Sequence, residues 1–583
     1  MKKIYYLILV AIISCNTIIA KTTTNTTLEK VWGTYFGGTN YDEITDIKQT
    51  SEGNLIFIGN TESADVPTSE SAYQKNLKGK SNIILFSFDK DGKFLWGTYF
   101  GDSLTFCSKL LIDKEDNICV IGITSDKSLP TNNGYQSKYG GGVSDVIIIK
   151  FDKYGNFIKC TYFGGEGTDE ITSANFDSEG NIIIGGNTTS TQNISTNGSF
   201  QTNKSGFKDV FITKINKELD KVIWSTYYGG EKDDYLYDFT VAENGDLVLT
   251  ISTSSAKIKV SNNAYQKLID IDINNIYSRI VVLARFSTDG NFVYSTYFGK
   301  TYMDFKSIAS LGNDEFICVG TNDYYDFVTD DAYNKTKTGG DPYIIKFKLK
   351  DNFVPIYASY LNFPDLIYSS KVVVDKLGNY IILGYLNGKS DSTEYLNFTT
   401  INALQRIGLG GYTDCFIAKF DSNNKPQYIT LVGGNDLDIP NRLLYDNTDS
   451  SFYLTGITTS DRNIATSGSF RDKRYQLDTN MNKGQDIFII KFKESIITSV
   501  LDMKIQGINP FPNPAYSIAR VNLQQEGQVA IMAVDLLGRT FPLWSGNAST
   551  GDMELDVSTL PTGSYTLLID YGTKREAVRL MKE

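Results

Sequence analysis

The strand-like phrase VWGTYFGG at residues 31–38 returns as LWGTYFGD, KCTYFGGE, IWSTYYGG, VYSTYFGK, IYASYLNF and QYITLVGG. Its Tyr, or the residue standing in for it, falls at 35, 99, 162, 227, 297, 360 and 431, so successive copies lie 63 to 71 residues apart. Self-similarity at a fixed period means that one supersecondary unit packs against copies of itself, and no other property of the chain limits its fold as sharply.

Each unit reads as four strands. The phrase is followed by the half-polar run EITDIKQ (43–49), a turn SEGN, LIFIGNT (55–61), a long loop, IILFSF (83–88), a short turn DKDGK and the next FLWGTYF. The strands carry β-branched and aromatic residues and the breaks carry Gly, Asn and Asp. Four short antiparallel strands repeated seven times suit a ring, where each small sheet buries its faces on its neighbours and no long edge stays free. The ends of the array favour a ring over a stacked solenoid. It opens at Trp32 with a phrase strand alone and closes with DIFIIKF (486–492), which no phrase strand follows. Joining the two completes a seventh sheet. The predicted fold class is therefore all-β: a seven-bladed β-propeller over 31–492 with strand-exchange closure, EITDIKQ innermost and the phrase outermost, followed by a small C-terminal β-sandwich.

Composition agrees and excludes several functions. Fifty Gly, 12 Pro, 37 Tyr and 33 Phe in 583 residues favour strands and tight turns. With 56 basic and 67 acidic residues the formal charge is −11, and no Lys/Arg run is present to track a phosphate backbone, so nucleic acid is not an expected partner. The chain has no histidine. That removes Ser/His/Asp and Cys/His nucleophilic systems and His-ligated zinc, leaving carboxylates, Tyr, Lys or an oxygen-held metal for any enzyme. No catalytic residue is assigned. Of the cysteines at 15, 107, 119, 160, 318 and 415, the last five sit mostly in apolar strand patterns and read as buried thiols, with Cys107 and Cys119 the one pair worth testing for a bridge.

Residues 1–20 have the layout of a signal peptide: Lys2 and Lys3, an apolar run from Ile4 to Ile13, and Ala20 before Lys21. IISC ending at Cys15 is also compatible with a lipoprotein cleavage box, but apolar character resumes at Ile18 and Ile19, which favours cleavage near Ala20. Residues 21–30 form a spacer. No later segment has about 18 continuous apolar residues, so no transmembrane segment is expected in the mature chain. After a linker at 493–507, residues 508–583 carry a new strand set: ARVNLQQ, QVAIMAVDLLGRT, MELDVSTLPTGSYTLLIDYG and EAVRLMKE.

Two resemblances follow from these residues. DVIIIKFDKYGNF, TYFGGEGTDEI and SEGNIIIGGNT, with GSFQ, are similar to the bacterial SBBP β-propeller repeat across residues 31–492. The resemblance implies an exported bacterial scaffold and carries no catalytic residues. FPNPA (511–515), VDLLGR (534–539), LDVSTLPTGSY (555–565) and the terminal VRLMKE resemble the type A sorting domain of the Bacteroidetes type IX secretion system. That implies handling by the type IX machinery through residues 508–583, delivery to the outer-membrane surface or the medium, and removal of the tail; such cargo normally has an ordinary signal peptide.

Candidate site residues are sought where the copies differ, because seven identical groups answer a packing need common to seven blades. One recurring column nevertheless carries chemistry: Asp42, Asp169, Asp234, Asp304 and Asp438 follow the phrase, with Phe106 and Ile367 in the other two units. As turn caps they accept backbone N–H groups; as a ring at the channel mouth they form an oxygen-rich cation site suited to calcium, although the DxDxDG loop is absent. No other cofactor is expected. The loops between second and third strands run to roughly 20 to 29 residues, long for a compact domain. Propeller geometry puts them on the same face as the column. Their most idiosyncratic groups, Tyr324, Tyr325, Asp326, Asp270, Asp272, Lys389 and Glu394, are the candidate binding residues for an unidentified protein or glycan. One ring or apolar residue per loop (Tyr73, Tyr135, Phe200, Tyr265, Tyr333, Leu404, Phe470) reads as an anchor tucking the loop onto its blade, with sugar stacking the alternative. A non-catalytic binding protein is the expected function. The alternatives are a carbohydrate-active hydrolase or lyase using carboxylates on that face, and a structural adhesion or surface-layer component.

Overall fold

The structure, a computed structural model, describes residues 24–102, 104–269, 278–301, 303–322, 327–336, 342–361, 367–386, 395–396, 398–408, 410–411, 413–475, 485–498, 510, 512–535, 540–571 and 575–583. The chain divides into two compact units, one of residues 27–495 and one holding 496–583.

The larger unit is built of seven four-stranded antiparallel sheets, hereafter blades 1 to 7. Blade 1 runs through Asp42–Gln49, Leu55–Thr61, Asn82–Phe88 and Phe94–Phe100, in that order across the sheet, and blades 2 to 6 repeat it. Blade 7 takes three strands from Asp438–Asp446, Ser451–Thr458 and Asp486–Thr498, and its fourth from Thr24–Phe36. The earliest and latest strands of the array thus share one sheet, and the protein is a β-propeller of seven blades. The first strands of successive blades pack side by side around a channel, and that of blade 7 meets that of blade 1. Across that seam Gln49 Nε2 donates to Asp446 Oδ2 (2.8 Å) and Asn441 Nδ2 to the Ile44 carbonyl.

Second and third strands are apolar on both faces because each blade is covered by two others: LIFIGNT and NIILFSF are buried throughout. The core lies between blades. Ile56, Ile58 and Phe100 of blade 1 pack with Cys107, Val120, Ile147 and Phe151 of blade 2. At the seam the Phe36 ring of the exchanged strand stacks on Phe86 of blade 1 at 3.8 Å between centroids. Burying such a side chain contributes roughly 1.5–3 kcal/mol.

Every described first strand carries a β-bulge at one place, for example between Ile44 and Asp46 and between Ile171 and Ser173. The extra residue drives a carbonyl towards the second strand, and this explains the repeated Gly of IGNT. A Cβ on Gly186 would lie 1.8 Å from the Glu170 carbonyl oxygen; Gly59, Gly122, Gly320 and Gly456 meet the same obstruction.

Cys107 and Cys119 do not form a bridge. Cys107 faces Gly122 and Cys119 faces Leu111 in the register, and both are free, buried thiols. Burial pushes the Cys107 thiol up, and its Sγ donates to the Gly59 carbonyl (3.1 Å).

In the C-terminal unit a four-stranded sheet (Thr540–Ala548, Gly527–Asp535, Gly563–Asp570, Arg575–Lys582) and a two-stranded sheet (Ile518–Leu523, Gly551–Asp556) enclose one core of Val521, Leu555, Ile531, Leu567 and Leu580. Among the described residues no helix is long and apolar enough to cross a membrane.

Candidate functional site

Tyr324, Tyr325, Asp326, Asp270, Asp272, Lys389 and Glu394 lie outside the described residues. Four of the five column aspartates occupy equivalent places, each opening the first strand of its blade beside the turn that leaves the preceding phrase. Asp42, opposite Thr61, accepts the Gly38 N–H (2.6 Å), the Ser63 hydroxyl (2.9 Å) and the Thr61 hydroxyl. Asp169 accepts from Gly165 N–H (2.9 Å), Ser190 (2.9 Å) and Thr188. Asp234 accepts from Gly230 N–H (2.7 Å), Ser255 (3.1 Å) and Thr253. Asp438 accepts from Gly434 N–H (2.7 Å) and Ser460 (2.8 Å), with Thr458 alongside. A buried carboxylate met by three donors from its own turn and neighbouring strand is a cap holding a blade junction. Each does so at a separate junction, and no group of three or more Cys, Asp or Glu converges among the described residues.

Asp304 is out of step. Met303 faces Asn322, the place Asp42 holds opposite Thr61, and Asp304 faces Thr321. The turn after Phe298 is one residue shorter than that after Phe36, so counting from the phrase lands one residue late, and the pleat sends that side chain to the other face of the sheet. There Asp304 accepts the Thr321 N–H (3.2 Å) and hydroxyl (3.0 Å) and pairs with Lys306 at 2.7 Å. The same shortening in blade 2 puts Thr105, not Phe106, in the column, with its hydroxyl 2.9 Å from Thr124 Oγ1.

A second set of carboxylates, not expected from the sequence, adjoins the first. Asp145, Asp209, Asp414 and Asp486 sit at the starts of third strands in blades 2, 3, 6 and 7, buried. Gly164 separates Asp145 from Asp169 so narrowly that a Cβ there would meet both carboxylates at 2.6 Å; Gly433 stands between Asp414 and Asp438 in the same way. Burial pushes the Asp145 carboxyl up to about 7, with the Asp169 charge adding to the rise. Burial raises Asp234 to about 7, Asp438 to about 6 and Asp486 to about 7, partly opposed by hydrogen bonds to each.

The repeated phrase serves the same junctions. Tyr99 is fully buried, donating its hydroxyl proton to the Ser63 carbonyl (2.9 Å) and accepting the Val66 N–H (3.0 Å). Tyr35, Tyr227 and Tyr297 donate equivalently to the carbonyls of Ser460, Ser190 and Ser255, the serines that cap Asp438, Asp169 and Asp234. The long loops return along the phrase strand in all seven blades: the N–H groups of Tyr35, Tyr99, Tyr162, Tyr227, Tyr297, Tyr360 and Leu431 donate to the carbonyls of Arg471, Gln74, Gln136, Gln201, Gln266, Asn334 and Gln405. This covers an outer edge that would otherwise present unpaired backbone.

The loop anchors reach further than their own blades. Tyr73, in the loop of blade 1, stacks on Phe157 of blade 2 at 5.0 Å; Phe200 stacks on Phe292 of the following blade at 4.8 Å, and Phe470 on Phe94 across the seam at 5.2 Å. Beside this last contact a groove of about 620 Å³ is lined by Trp32, Gly92, Phe94 and Phe470.

Residues 509–583 match the family described as "secretion system C-terminal sorting domain". The C-terminal unit is therefore a sorting domain that engages the type IX secretion system, and the protein is exported, released or attached at the cell surface. A 232-residue stretch is 24% identical to an uncharacterised WD repeat-containing protein of Acanthamoeba polyphaga mimivirus, covering 34% of this chain and 16% of that protein. This chain thus spans about a sixth of that relative. Solved structures with a similar course include a polysaccharide lyase of family PL25, an ulvan lyase (9% identity, 75% of this chain and 92% of that one, TM-score 0.39). The polysaccharide lyase Uly1 (9%, 80% and 99%, 0.37) and a copper-bound fungal alcohol oxidase of the AA5 family (12%, 94% and 98%, 0.37) also align.

Proposed function

We propose that this exported propeller is a non-catalytic binding protein, which recognises a protein or glycan with the face formed by the loops between second and third strands. The observation that carries the reading is the division of labour within each loop. Its return limb is fixed, by the bond to the phrase strand and by rings such as Tyr73 and Phe200 on the next blade. Its remaining sequence differs from blade to blade. A rigid base beneath variable tips is the arrangement by which scaffolds present binding residues. The resemblance of the repeat to SBBP propellers supports the same reading. Further support comes from four of the carboxylates on this face, Asp42, Asp169, Asp234 and Asp438, which are engaged in holding blade junctions.

The test is a glycan array and a pull-down from extracellular material with the full chain, repeated after replacing residues 322–334 and 387–400 by the corresponding loop sequence of blade 1. Binding that the replacements abolish supports the proposal. Release of reducing or unsaturated sugar from a bound polysaccharide, lost on a single carboxylate substitution, would make the protein an enzyme instead.

A further inference from the structure

The first-strand residue just beyond the bulge is Asp46, Lys109, Ser173, Asp238, Ser307, Lys371 and Arg442 in blades 1 to 7. These side chains meet across the channel. Lys371 of blade 6 pairs with Asp238 of blade 4 at 2.9 Å, skipping the blade between them, while Arg442 reaches Asp46 at 3.4 Å. Both carboxylates are nearly saturated. Asp46 also accepts the N–H groups of Leu110 (2.9 Å) and Ile47 (3.0 Å); Asp238 accepts the Ser173 hydroxyl (2.7 Å) and the Phe239 N–H (3.0 Å).

Among these seven residues three cations face two anions, Lys48 of the same blade-1 strand adds its charge beside Asp46, and Lys109 makes no ion pair or hydrogen bond among the described residues. It nevertheless lies in the field of Arg442, Lys371, Asp238 and Asp46 together. Uncompensated positive charge in a protein-walled channel is costly unless a counter-charge joins it or an amine gives up its proton. We propose that the middle of the channel is a binding site for one small monovalent anion of the halide class, held by Lys109 with Lys371 and Arg442 behind it. Excess positive charge calls for an anion, and a channel bridged from blade to blade by Lys371 and Asp238 favours a compact one. Burial first, then Arg442 and Lys371, bring the Lys109 amine down to about 7, so without a counter-charge it loses its proton around neutrality. The charged groups acting on it are Arg442, Lys371, Asp238 and Asp46, with Lys48 beside Asp46 on blade 1 and Ser173 and Ser307 at the same register on blades 3 and 5.

Crystals of the full chain grown without halide and soaked in sodium bromide at pH 6 should show one anomalous peak on the channel axis in contact with Lys109 Nζ. The peak should weaken at pH 9 and vanish in Lys109→Met. In solution, replacing gluconate by chloride at constant ionic strength should raise the melting temperature of the wild type and leave that of Lys109→Met unmoved. A wild-type map with no channel peak, or a peak undiminished in the variant, overturns the proposal. The wild-type map decides by itself if the variant does not fold.

Discussion

At the scale of single residues, the blade junctions depend on carboxyls that burial makes reluctant to ionise. Asp145, raised to about 7, binds its proton more tightly folded than unfolded, where a carboxyl titrates near about 4. The stability this contributes is complete below the unfolded value and is lost as pH rises through about 7. Asp145→Asn keeps an acceptor for the Gly140 N–H and removes the charge beside Asp169; blade 1 already carries Asn82 at the equivalent position. The expected outcome is a melting temperature a few degrees higher at pH 8 and a flatter profile from pH 5 to 8, read by thermal melts. Tyr99→Phe should cost about 1–3 kcal/mol in a denaturant titration, because it strands the buried Ser63 carbonyl and Val66 N–H. Part of this was legible. The caps leave a trace, an Asp followed 19 residues on by T-x-S at Asp42, Asp169 and Asp234 and 20 residues on at Asp438. The Asp145/Asp169 pairing left none, since its members come from different strands brought together by the twist of adjacent blades.

At the scale of elements, the bulge is the device that shapes every blade. It presses a first-strand carbonyl against the second strand, so a side chain there must displace backbone. Gly186→Ala is expected to destabilise by about 1–3 kcal/mol or more, whereas Gly180→Ala, whose Cβ would meet nothing, should lose only what its positive φ demands, a comparison that paired denaturant melts resolve. The bulge also turns seven first-strand side chains towards one another in the channel. Strand count and order could be read from the period-two pattern and the turn residues. The bulge could not, because an extra residue in one strand looks in sequence like any other. Asp304 shows the related limit: one residue fewer in the preceding turn moved it out of the column, and loop length in space is not counted from a motif.

For the whole molecule, the ring depends on one pairing between ends of the array more than 450 residues apart in sequence. Deleting residues 24–36 would leave blade 7 with three strands and expose both Phe86 and the edge of Asp486–Thr498; the expected outcome is self-association on size-exclusion chromatography and rapid proteolysis, with the sorting domain intact. The sequence by itself determined the repeat, the blade of four strands, the offset that joins first strand to last, and the sorting signal at the C-terminus. Each is written in local patterns of alternation, turn residues and motif order. Only the tertiary structure decided which aspartates share a junction, which blade each loop ring grips, and that Lys371 meets Asp238 and Arg442 meets Asp46 across the channel. Those facts depend on register and on the distance between residues of different blades, and a slip of a single residue reverses the face on which a side chain acts.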